Sequence, residues 1–93
     1  MTEQEIIKKL QSEGYDNAQV YHSDPGEISE EHSHDYDTKI YILSGEIRVK
    51  ILEAKVITDY LLKAGDEKEI FANQPYSAKV GSEGCHYVVA EKH

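Results

Sequence analysis

Cysteine is almost missing from this sequence: Cys85 is the only one, so no intrachain disulfide forms and no cysteine-rich zinc site can be built. Any metal would have to be held by histidine, carboxylate or tyrosine. Basic residues are scarce as well. Ten lysines and arginines stand against 18 acidic residues, and the net charge of −8 repels phosphate backbones and anionic membrane surfaces. Nucleic acid and membranes are therefore not expected as partners. No run of about 18 apolar residues is present to cross a bilayer, and the segment Thr2 to Glu13 is too charged for a signal peptide. The expected compartment is the cytoplasm.

What is present suits one folded unit. At 93 residues a second core would leave each half too small to bury enough apolar surface, so one domain spanning 1–93 is expected. Hydrophobic residues at 39% and charged residues at 30% exclude a disordered composition. Thr2 followed three residues later by Glu5 reads as a capping box, and Ile6, Ile7 and Leu10 form an apolar stripe ending before Gly14. Residues 1–14 are thus expected to hold a short amphipathic helix that covers one end or edge of the core.

From Ala18 the texture changes to short segments rich in valine, isoleucine and tyrosine. They are divided by turn signals at Asp24-Pro25-Gly26, Ser44-Gly45, Gly65-Asp66, Asn73-Gln74-Pro75 and Gly81-Ser82-Glu83-Gly84. This spacing predicts an all-β barrel or sandwich over residues 18–91. In Glu46 to Ile51 the alternation is clear, with Ile47, Val49 and Ile51 on one face and Glu46, Arg48 and Lys50 on the other. Val56 to Leu62 is expected to pair with it through a turn near Glu53-Ala54, with both of its faces partly buried. Further strands are predicted near Glu67 to Phe71, Ser77 to Val80 and Cys85 to Ala90.

If His32 to Leu43 runs as a regular strand, His32, His34, Tyr36, Thr38, Ile40 and Ile42 share one face. Two neighbouring imidazoles can then meet one cation, and neutral imidazole accepts zinc, iron, copper or nickel alike. Asp37 points away on such a strand and would need a bulge to turn inward. His86, Glu30, Glu31 and His22 are further donors of undetermined direction. Cys85 and His86 are adjacent on a strand and point to opposite faces, so the pair reads as structural rather than as a nucleophile with its base. Seven tyrosines against one phenylalanine supply either a stacking wall for a ligand or strand residues with buried rings and wet hydroxyls. The acidic group Glu27, Glu30, Glu31, Asp35 and Asp37 reads first as a solvated loop face.

The spacing also carries a resemblance. Gly26, five residues, His32, one residue, His34, three residues, Thr38, six residues and Gly45 resembles the first cupin motif, with Thr38 where that motif has glutamate. Gly65-Asp66 and Ile70-Phe71-Ala72-Asn73-Gln74-Pro75-Tyr76 resemble the second, with Phe71 in the proline place and Tyr76 in the histidine place. The resemblance implies a double-stranded β-helix, a jelly-roll barrel, preceded by the short helix. It implies His32 and His34 as metal ligands, with Thr38 and Tyr76 in the remaining ligand places and Asp37 and His86 as further candidates. The expected cofactor is a divalent ion of the zinc, iron, manganese or nickel kind, in a pocket serving a small polar molecule. Against this stands a metal-free barrel that binds or regulates without catalysis, and a tyrosine ligand must lose a proton of pKa about 10 to bind well. Small cupins resemble subunits that pair through barrel edges, so a homodimer is expected under either reading.

Overall fold

The capping box forms as predicted. In the computed structural model, which describes residues 1–93, Thr2 Oγ1 accepts from the Glu5 backbone N–H and Glu5 Oε1 accepts from the Thr2 backbone N–H, opening helix α1 (Glu3–Ser12). Ile6 and Leu10, four residues apart, are fully buried with Tyr15, Val88 and Ala90 in a cluster beneath the helix.

Six strands follow: β1 (Asp16–Ser23), β2 (Ile28–His32), β3 (Asp37–Glu53), β4 (Val56–Lys63), β5 (Glu67–Ile70) and β6 (Tyr76–Lys92). All pairings are antiparallel. The two 17-residue strands β3 and β6 lie side by side along their whole length and organise everything else. The first half of β3 and the second half of β6 sit between β5 and β1, while the other halves sit between β4 and β2. Two four-stranded layers result, facing one another as in a jelly roll. Ile42, Ile47, Val49, Ile51, Leu62, Ile70, Val80 and Cys85 fill the space between them.

Ser44-Gly45 and Gly81 to Gly84 therefore do not end strands. They are the bends at which β3 and β6 pass from one layer to the other, with register shifts at Ile42/Ser44 and Gly45/Ile47. Ser77 to Val80 and Cys85 to Ala90 are one strand rather than two. A glycine at a bulge and a glycine in a turn look alike in sequence, because both supply backbone freedom.

Two other expectations are corrected. His32 to Leu43 is not one strand: β2 ends at His32 in one layer, Ser33 to Tyr36 cross over, and β3 begins at Asp37 in the other. Val56 to Leu62 is an edge strand with one open face. Only Leu62 is buried there, while Val56, Ile57 and Leu61 stay exposed. Its turn, at Ala54 and Lys55, has positive φ at both residues (48° and 67°), the geometry that matches strand twist in a two-residue hairpin.

Charge ties the helix to the barrel. Lys39 on β3, with its side chain 14% exposed, reaches Glu13 Oε1 at 2.7 Å and Glu67 Oε1 at 3.2 Å. Lys9 reaches the same two carboxylates at 2.7 and 2.9 Å. Hydrogen bonds from Lys39 and Lys9 hold the Glu13 carboxyl down to about 2, and those from Lys9 and then Lys39 lower that of Glu67. A carboxyl depressed in the fold binds protons more readily in the unfolded chain. Its contribution is complete above the ordinary value of 4.5 and is lost as pH falls toward about 2. Lys39→Ala is expected to lower the melting temperature by about 4–8 °C at neutral pH, equivalent to about 1 kcal/mol for a partly exposed network. The difference from the native chain should shrink as pH falls through that window, which thermal unfolding followed by circular dichroism at stepped pH checks.

Candidate functional site

Between the two layers lies a cavity of about 530 Å³, within the range of small-molecule pockets. Its floor is apolar, made by Ile40, Ile47, Val49, Ile70 and Val80, because alternate residues of β3 and β6 turn inward. Polar side chains enter it from several elements. His32 arrives from the end of β2, His34 from the crossover and Tyr76 from the start of β6. The crossover is anchored there by the Asn73 N–H, which donates to the His34 carbonyl at 2.6 Å.

His32 Nδ1 lies 2.7 Å from the Glu30 carbonyl oxygen. A carbonyl only accepts, so this nitrogen carries a proton, and in the neutral ring Nε2 is then the atom with the lone pair. His34 Nε2 lies 2.9 Å from the Tyr76 hydroxyl. Burial pushes the Tyr76 phenol up to about 12, so it stays protonated and can donate to that nitrogen. The two imidazoles meet edge to face with centroids 5.0 Å apart, Tyr76 packs 4.4 Å from His32, and Tyr36 stacks on His34 at 4.9 Å. Thr38 lines the same cavity and is almost fully buried.

His32, His34, Thr38 and Tyr76, named from sequence, thus line one cavity. Asp37 and His86 do not line it. The Asp37 Oδ1 accepts from the Ala72 N–H at 2.8 Å, which holds the carboxylate in the loop before β6. His86 lies on the outer face of β6, because its neighbour Tyr87 takes the inward place. Glu30 and Glu31 are exposed on β2. Tyr21, Tyr36 and Tyr87 join the wall, and the Tyr87 hydroxyl lies 3.0 Å from Ser23 Oγ. The charges at the cavity are carboxylates, Glu27 and Glu91, with no lysine or arginine in the lining. Cys85 is buried in the core and its thiol is pushed up to about 11, so it is no nucleophile.

A second set of donors stands outside the cavity. Glu3, His22 and His86 hold their ligand atoms within 4.8 Å of one another, an arrangement able to hold a metal ion. Both histidines are candidate donors in the sequence, but their meeting depends on the register between β1 and β6.

A model of the cupin domain matches residues 19–90 of the sequence. The chain belongs to the cupin family. No curated protein matches this cupin. Among solved structures it is similar to an oxalate decarboxylase of Bacillus subtilis whose Mn(II) centres have been characterised (TM-score 0.78, 22% identity, 92% of this chain and 23% of that one). It is also similar to the Lactobacillus farciminis oxalate decarboxylase crystallised as a formate complex (0.76, 23% identity, 82% and 23%). A third is Drosophila melanogaster CENP-C bound to CAL1 (0.75, 16% identity, 81% and 63%). This cupin spans about a quarter of the length of the two decarboxylases. Identities this low establish the shared jelly roll and leave the chemistry to the site itself.

As a cupin pocket it fits a resident divalent ion poorly. Two imidazoles are in place, but no carboxylate or thiolate joins them in a three-donor set. Threonine is a weak ligand, and the buried Tyr76 resists becoming a phenolate.

Proposed function

We propose that this cupin binds a small, uncharged, ring-bearing molecule with hydroxyl groups in its barrel pocket, without needing a metal. The observation that carries the reading is the 2.9 Å contact between His34 Nε2 and Tyr76 Oη in a cavity whose lining is mostly apolar and aromatic. It presents a polar pair that can both donate and accept, while aromatic walls take the flat faces of a ring. The free Nε2 of His32 adds an acceptor beside it.

In EDTA, calorimetric titration with 4-hydroxybenzyl alcohol is expected to give saturable binding that Tyr76→Phe weakens about five- to tenfold, the value of one hydrogen bond of about 1 kcal/mol. Unchanged affinity in Tyr76→Phe removes the couple from recognition.

The free Nε2 of His32 also favours a second reading. A divalent ion held by His32 and His34 would be completed by chelating oxygens of the ligand itself, and binding would then require added metal.

We also propose that two copies pair through β4. Its outer edge has no strand partner, and Leu52, Ile57 and Leu61 expose apolar surface on the same sheet face. Sedimentation velocity is expected to show a dimer that Ile57→Asp converts to a monomer; a native monomer at high concentration contradicts the pairing.

A further inference from the structure

The register of β1 and β6 sets His22 directly opposite His86, and their rings stack with centroids 4.0 Å apart and planes inclined by 16°. Their chain neighbours Tyr21 and Tyr87 face the pocket, so the histidine pair faces the other way, onto the surface that α1 covers. The helix brings a third donor. Glu5 is consumed by the capping box, whereas Glu3, two residues earlier, extends toward the barrel with Oε1 2.8 Å from His86 Nε2. That nitrogen is buried, yet its alignment with the carboxylate does not make a hydrogen bond. A buried ring nitrogen without a hydrogen bond is costly and calls for a partner.

We propose that Glu3, His22 and His86 form a binding site for a divalent transition metal ion of the zinc class, with water as the fourth ligand. Two imidazoles and one carboxylate are a donor set that suits zinc, and the oxygen-seeking calcium and magnesium are poorly served by it. Around a tetrahedral ion with ligand distances of about 2.0–2.1 Å, donor atoms sit roughly 3.4 Å apart. The present donors lie within 4.8 Å of one another. Closing that gap falls to the Glu3 side chain, which is 46% exposed and free to swing, and to small rotations of the rings. The ion would join the first turn of α1 to β1 and β6 and act as a clamp on the helix. This site is independent of the pocket reading and uses none of its residues.

The test is titration of the EDTA-stripped full chain with Zn²⁺ by calorimetry, and with Co²⁺ followed by its visible absorption. One ion per chain is expected, accompanied by a rise in melting temperature. His22→Ala and Glu3→Gln, both at exposed positions that leave the core untouched, are each expected to weaken Zn²⁺ at least tenfold and to abolish the thermal shift. The His32→Ala/His34→Ala pair is expected to retain the ion. A native chain that binds no Zn²⁺ overturns the site. So does one whose single ion survives His22→Ala and is lost with His32 and His34, which would move the metal into the pocket.

Discussion

Gly45→Ala is expected to destabilise the protein by about 3–5 kcal/mol and to lower its melting temperature by more than about 12 °C. Gly45 sits at the bend of β3 with φ +76°, and Gly84, φ +77°, sits at the matching bend of β6. There the two long strands cross so closely that a methyl group on Gly45 would be driven into the Gly84 carbonyl oxygen, with its Cβ only 3.1 Å from the Cα of Cys85. Neither obstacle is a flexible side chain. Both belong to backbone held in register on either side of the bend, so relief requires the layers to separate. Gly65→Ala is the internal control. Its φ is +91°, but nothing lies within 4 Å of the added carbon, so it should show only the left-handed penalty of about 1–2 kcal/mol. Equal losses in the two variants would mean that the crossing is looser than described.

The second large effect concerns ligand charge. 4-Hydroxybenzoate differs from 4-hydroxybenzyl alcohol by carrying a carboxylate, and it is expected to bind at least tenfold more weakly. The cavity lining holds Glu27 and Glu91 and no basic side chain, within a chain of net charge −8. At an effective dielectric of about 20 and a separation of roughly 8 Å, one like charge costs about 2 kcal/mol, less where solvent screens it. A tenfold loss needs only about 1.4 kcal/mol. A divalent ion bridging His32 and His34 would reverse the order, because the carboxylate would then become the better ligand. Parallel titrations in EDTA and in Zn²⁺ separate the two readings.

Local signals in the sequence carried much of the fold. The Thr2 and Glu5 pair formed its capping box, and the alternation of Ile47, Val49 and Ile51 became a buried face. These depend on residues within a few positions of each other. The motif spacing that resembles the cupins brought His32, His34, Thr38 and Tyr76 to one cavity, although the strand assumed to carry the histidines is broken by a crossover. What stayed hidden depends on partners far away in sequence. Whether Gly45 turns or bends a strand is decided by β6 passing beside it. Lys39 is an unremarkable strand residue until Glu13 and Glu67 close on it. His22 and His86, 64 residues apart, become neighbours only through strand register, and Glu3 joins them only after α1 has docked. His86 takes an outward place on β6, where inward and outward residues alternate, and the Asp37 carboxylate at the start of β3 is held by the Ala72 N–H, so both donors stand away from the pocket.

Under the proposed function, the barrel interior recognises a small ring-bearing molecule through His32, His34 and Tyr76 without metal. The most direct test is to follow the histidine ring resonances by isotope-edited NMR while 4-hydroxybenzyl alcohol is added in the presence of EDTA. Saturable shifts of the His32 and His34 rings are expected, with those of His22 and His86 unmoved; histidine rings that respond only after a divalent metal is restored would contradict metal-free recognition.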